Sequence, residues 1–140
     1  MKDPVIYLCG PIANCADHEC IDWREEVKRR WPGRCLDPMA RDARNVQMTD
    51  QLAADIVTQD LLDIDGSHGI LVYYDRPSVG TSMEIFYAAR ERGIPVVLVE
   101  APGVKASSPW LRHHTHAIVP NGSLTDGMAK LLHLITELHA

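Results

Sequence analysis

No stretch of this chain approaches the ~18 consecutive apolar residues that a helix needs to cross a bilayer, and its net charge of −5 comes from acidic and basic residues interspersed rather than gathered in blocks. The first absence argues against a membrane-spanning protein. The second, with a pI near 5.7, leaves no basic footprint for a nucleic-acid polymer. Met1-Lys2-Asp3-Pro4 leads into a strand-like run and not into a signal sequence, so a cytoplasmic protein is expected. Cysteine is sparse: Cys9, Cys15, Cys20 and Cys35 all fall in the first quarter, without the density of a secreted disulfide scaffold, which suits reduced thiols. Cys15, His18 and Cys20 match no standard zinc spacing and no second ligand pair follows, so no metal is expected. Phosphate-loop signatures are missing too. Cys9-Gly10-Pro11-Ile12-Ala13-Asn14 lacks the later glycines of a dinucleotide fingerprint, and no Walker-type loop occurs. Nothing supplies a Ser or Cys nucleophile with an obvious His and acid partner, so hydrolysis through a serine triad is not expected.

What is present is a chain of 140 residues, 46% hydrophobic and 24% charged, the size and composition of one domain, residues 1–140, with its own core. Val5–Cys9 is a short apolar run ended by Gly10-Pro11, the pattern of a strand buried on both faces. From Asp17 to Trp31, Cys20, Trp23, Val27 and Trp31 recur at helical spacing, predicting one amphipathic helix stopped by Pro32-Gly33. A brief strand over Arg34–Leu36 runs into a polar loop reaching Thr49, and a second helix is expected over Asp50–Ile64. Gly69–Tyr74 reads as the third strand. A loop over Asp75–Gly80 follows, then a helix over Thr81–Arg92 ending at Gly93. Ile94–Val99 and Ala117–Val119 complete the strands, and Leu124–Leu138 is a final amphipathic helix. His113, His114 and His116 read as a polar loop. Alternating strands and helices imply right-handed crossovers and an α/β three-layer sandwich with a five-stranded parallel sheet, flavodoxin-like or Rossmann-like. Ligands in such folds sit at the carboxyl ends of the strands, which selects Gly10–Asn14, Asp37–Asn45, Asp75–Gly80 and Ala101–Trp110.

Two carboxylates stand out. Asp60 lies four residues after Ile56 and four before Ile64, on the helix face that packs on the sheet. It therefore needs either backbone or hydroxyl donors, or an environment that makes it a proton carrier. Glu84 falls three residues after Thr81, the spacing of a capping box that needs no active site. Against that reading, its helix begins at the carboxyl end of a central strand, beside a loop able to present backbone N–H groups to an anion. Tyr7 has the position of a core residue, Ser78 and Ser108 that of loop hydroxyls, and Trp110 that of a packing anchor.

Taken in order, Ile6-Tyr7-Leu8-Cys9-Gly10-Pro11-Ile12, Leu36-Asp37-Pro38-Met39, Asp60-Leu61, Ser67-His68-Gly69, Pro77-Ser78-Val79-Gly80-Thr81-Ser82-Met83-Glu84-Ile85, Gly93-Ile94-Pro95-Val96 and Ser108-Pro109-Trp110 resemble the nucleoside 2-deoxyribosyltransferase family over most of the chain. The resemblance implies a flavodoxin-like fold, a homo-oligomer and no cofactor. It implies Glu84 as the nucleophile that attacks C1′ of the deoxyribose, Asp60 as the carboxylate handling the base's proton, and Tyr7 as a pocket residue orienting Glu84. Gly10, Pro11, Ile12, Asp37, Pro38, Met39, Ser78, Gly80, Met83, Ser108 and Trp110 would bind a small-molecule deoxynucleoside or deoxynucleotide and nucleobase, with the Ser108 region near a neighbouring subunit's site. Breaking an N-glycosidic bond builds positive charge on the sugar and negative charge on the base, so one ionised carboxylate and one proton donor suit it.

Ser78 stands where the family's transferases carry an aspartate. That is similar to the branch that hydrolyses deoxynucleoside 5′-monophosphates, so transfer and hydrolysis both remain open. The first loop has no arginine to welcome a phosphate. His68 replaces a common aspartate and reads as a surface change. A non-catalytic nucleotide-sensing domain, with Glu84 only a cap, is a third reading.

Overall fold

Aliphatic runs that suit burial on two faces become the strands of one sheet. The computed structural model describes residues 1–140, and its strands β1 (Val5–Cys9), β2 (Arg34–Leu36), β3 (Gly69–Tyr74), β4 (Val96–Glu100) and β5 (Ala117–Val119) pair in parallel in the order β2-β1-β3-β4-β5. This five-stranded parallel sheet, with helices on both faces, is the flavodoxin-type order. No helix is long and apolar enough to cross a membrane.

Successive strand residues point to opposite faces, which sorts the core into two halves. One face sends Ile6, Leu8, Leu71, Val97 and Val99 against Trp23, Val27 and Trp31 and against Met128, Leu131 and Ile135. These come from α2 (Asp22–Arg30) with its cap residue Trp31, and from α6 (Leu124–Leu138). The other face sends Tyr7, Cys9, Ile70, Val72, Val96 and Leu98 against Ile64, Ile85, Ala88 and Leu111. Ile64 belongs to α3 (Asp50–Asp65), Ile85 to α4 (Val79–Phe86) and Leu111 to α5 (Pro109–His114). Tyr7 and Cys9, two residues apart on β1, therefore share the α3–α4 face.

The structure corrects several boundaries. The helix expected over Asp17–Trp31 is two: α1 (Asp17–Cys20) and α2, meeting at Ile21. The first turn is anchored by its own cap, Glu19 Oε1 accepting from the Ala16 N–H at 2.8 Å, while α2 docks through Trp23, Arg24 and Val27. Different anchors set the two directions. α4 begins at Val79 instead of Thr81 and passes into a π-helical turn, Tyr87–Glu91, before Gly93 adopts a positive φ of 63°. β4 spans Val96–Glu100 rather than Ile94–Val99. Part of the histidine segment read as loop is α5, which Ser108 caps and Pro109 opens.

From β1 the chain crosses to β2 on one side, and from β3 it proceeds to β4 and β5 on the other. The crossovers diverge between β1 and β3, so a crevice is expected at the carboxyl ends of those two strands.

Candidate active site

Ser78 organises the start of α4. Its hydroxyl accepts from the Thr81 N–H at 3.3 Å, and its carbonyl accepts from the Ser82 N–H at 3.0 Å and the Ser82 hydroxyl at 2.9 Å. Ser78 is thus the cap, and the expected Thr81–Glu84 capping box does not form. Glu84 lies in the second helical turn, where its side chain turns to the sheet.

There it meets β1. Glu84 Oε2 accepts from the Tyr7 hydroxyl at 2.5 Å, and Oε1 accepts from Cys9 Sγ at 3.5 Å. Tyr7 and Cys9 are fully buried, so both donors are held in place. Burial pushes the Glu84 carboxyl up to about 7, with the Tyr7 hydrogen bond opposing this and the charge of Asp60 adding to it. Burial, then the neighbouring Glu84, raises the Tyr7 hydroxyl above its ordinary range and keeps it a donor.

Asp60 approaches from α3. Its partner is neither backbone nor hydroxyl but the guanidinium of Arg41, whose Nη2 lies 2.9 Å from Asp60 Oδ1 and 2.8 Å from Asp63 Oδ2. Burial raises the Asp60 carboxyl and Arg41 opposes the rise. Asp60 and Glu84 are near enough for each carboxyl to bias the other. Tyr7, Asp60 and Glu84 are thereby brought to one place by β1, α3 and α4.

Arg41 ends the 3₁₀ turn Pro38–Arg41, which Asp37 caps by accepting from the Met39 N–H at 2.9 Å. Asp37 also pairs with Lys28 Nζ at 2.5 Å and with Arg24 Nε at 3.4 Å. Its carboxylate is therefore committed to holding this turn against α2. Arg24, fully buried, donates to the carbonyls of Cys20 (2.7 Å), Leu8 (3.4 Å) and Gly10 (3.1 Å). That fixes the exit of β1. A Cβ on Gly10 would stand 2.9 Å from the Trp23 ring and 3.0 Å from the Tyr73 carbonyl, so only glycine fits this close approach. Pro11 is buried beside it and Ile12 is half-buried.

The remaining expected binding residues lie elsewhere. A cavity of about 410 Å³ between α4 and α5 is lined by Tyr74, Pro77, Ser82, Ser107, Ser108, Trp110 and Leu111. A smaller one, about 230 Å³, includes Asp37 and Met39. Neither lining includes Glu84, Tyr7 or Asp60. Met83 is 68% exposed on the outer face of α4, and Gly80 has open space above it. No group of three or more His, Cys, Asp or Glu side chains is arranged to hold a metal ion.

An all-parallel sheet in this order, with helices on both faces, defines an α/β domain of the flavodoxin-like class. Within that class, the chain is similar in structure to the 2-deoxyribosyltransferase of the psychrotolerant bacterium Bacillus psychrosaccharolyticus, with a TM-score of 0.72 and 19% identity over 91% of this chain and 95% of that one. A conserved protein from Enterococcus faecalis V583 matches with a TM-score of 0.62 and 17% identity, over 97% of this chain and 99% of that one. A 3-dehydroquinate dehydratase-like protein from Bifidobacterium longum matches with a TM-score of 0.52 and 10% identity, over 99% of this chain and 98% of that one. No protein-family profile matches, and no curated protein matches in sequence. The chain therefore has the fold of a 2-deoxyribosyltransferase, as the resemblance implied. A dehydratase-like protein also matches, so the fold alone does not fix the activity.

Proposed function

We propose that this protein is a nucleoside 2′-deoxyribosyltransferase that cleaves the N-glycosidic bond of 2′-deoxynucleosides and passes the sugar to another nucleobase. One observation carries the reading: Glu84 is held by the Tyr7 hydroxyl at 2.5 Å with Asp60 as its acidic neighbour. In the first step the Glu84 carboxylate bonds to C1′ while the C1′–N bond breaks, its electron pair leaving with the base. Tyr7 keeps Oε2 occupied, which leaves Oε1, facing only a weak thiol donor, as the attacking oxygen. Asp60 exchanges the proton that the departing base takes up and the incoming base gives up. Attack of the second base at C1′ then expels Glu84 with overall retention.

Hydrolysis of deoxynucleoside 5′-monophosphates is the second reading, favoured by Ser78 and by the open approach to Gly80 at the start of α4. The sensor reading needed Glu84 to cap its helix, a task Ser78 performs. Val79, Met83 and Phe86 on α4 and Trp110 on α5, 79%, 68%, 40% and 70% exposed, form the apolar face on which a second copy of the chain is proposed to sit.

The test is to incubate the protein with deoxynucleosides, with and without a second free base, and to separate the products by chromatography. A new nucleoside formed only when base is added supports transfer. Free sugar, or sugar phosphate from monophosphates, supports hydrolysis. No product from any substrate refutes the enzyme reading, and full turnover by Glu84→Gln refutes Glu84 as the nucleophile.

A further inference from the structure

Asp60 and Asp63 stand three residues apart on α3, near one another on the helix surface, where two like charges repel. A single nitrogen meets both, Arg41 Nη2, at 2.9 Å and 2.8 Å. The three side chains are only 33%, 20% and 22% exposed, so water screens them incompletely. Arg41 Nε is shut off from solvent and without a partner, which leaves these two aspartates as the contacts that hold the guanidinium. The turn bearing Arg41 is itself pinned, because its cap Asp37 is paired to Arg24 and Lys28 of α2.

We infer that Arg41 is a positioning residue for the reaction proposed above: it clamps Asp60 between α3 and the turn after β2, and Asp63 competes with Asp60 for the same nitrogen. The inference rests on Asp60 being the carboxylate that exchanges protons with the base.

The groups that act on Asp60 are Arg41 from the turn, Asp63 from its own helix and Glu84 from α4, while Tyr7 and Cys9 on β1 are in turn biased by its charge. Arg41 is the cation bonded to it, opposing burial and Asp63, which both favour the protonated form. Opposite substitutions therefore have opposite effects. Losing Arg41 frees the Asp60 side chain and favours its protonated form. Losing the charge of Asp63 gives Asp60 sole use of the guanidinium and favours the ionised form.

The test is a carbon-13 NMR titration of aspartate-labelled protein, with the Asp60 resonance assigned through Asp60→Asn, run beside steady-state kinetics over pH. Arg41→Gln should raise the Asp60 midpoint by about one unit or more and lower kcat by roughly tenfold to a hundredfold, with KM changed much less. Arg41→Lys, which keeps the charge but not the planar fork, should recover part of both. Asp63→Asn should move the midpoint down, and it carries the test if Arg41→Gln does not fold. A midpoint that stays put in the variants, or moves the same way in Arg41→Gln and Asp63→Asn, overturns the clamp. An active enzyme whose Arg41→Gln variant titrates as expected but keeps its kcat and pH profile overturns the positioning role. If the wild type turns over no nucleoside, the proposed function falls and the role in it with it, while the titration still decides the clamp.

Discussion

A carboxyl buried against the sheet beside the charge of Asp60 is easier to keep protonated than to ionise, even with Tyr7 and Cys9 donating to it, and Glu84 bears that cost because its position demands it. Its folded value of about 7 lies above the ordinary 4.5, so the folded chain holds this proton more tightly than the unfolded chain does. Between those two values the unfolded state loses its proton first, and the contribution of Glu84 to stability declines as pH rises through that window. Glu84→Gln should therefore unfold at higher denaturant than the wild type at pH 8, by on the order of 2 kcal/mol. The gap should close below pH 5, as followed by urea titration at both pH values. In the wild type, turnover that depends on ionised Glu84 should rise with pH to a plateau beyond about 7. A destabilised wild type beside a more stable variant without turnover is the trade that the proposed role of Glu84 as nucleophile predicts.

At the scale of elements, what the sequence made legible was whatever announces itself by hydrophobic period. β1, β2, β3, β5 and α6 have the expected bounds, because apolar runs bracketed by Gly, Pro or Ser leave little choice. α5 escaped because its six residues are too few for a period; a serine cap and the burial of Leu111 make it a helix. The choice between Ser78 and Thr81 as cap was equally hidden, since both hydroxyls suit the role and only packing of the following turn against β1 decides. Arg24 and Arg41 escaped for a different reason. An arginine in a charged stretch reads as a solvated face, and only the folded chain shows that Arg24 is buried under β1 or that Arg41 reaches across to α3. The pairing of Glu84 with Tyr7 came from the resemblance rather than from pattern. Packing also overrules propensity in α6, where a Cβ on Gly127 would lie 2.5 Å from Val99 Cγ2. Gly127→Ala should lower stability by about 1–3 kcal/mol, although alanine is the better helix former; chemical denaturation of the two proteins measures it.

For the molecule as a whole, the exposed apolar side of α4 is the feature a lone domain would have least reason to keep. Val79, Met83 and Phe86 recur at helical spacing along it, so one charge in the middle disrupts the whole stripe. Met83→Glu should shift the proposed assembly to monomers in sedimentation velocity while the far-UV dichroism stays unchanged; a wild type already monomeric at assay concentration contradicts the proposed self-association. The site also joins distant parts of the chain, for Glu84 is 77 residues from Tyr7 and 75 from Cys9. Contacts of such long loop closure form late. On dilution from denaturant, helical signal should therefore return well before catalytic competence does, and a nascent chain released before β3 and α4 emerge would carry the tyrosine and the thiol with no acid to hold.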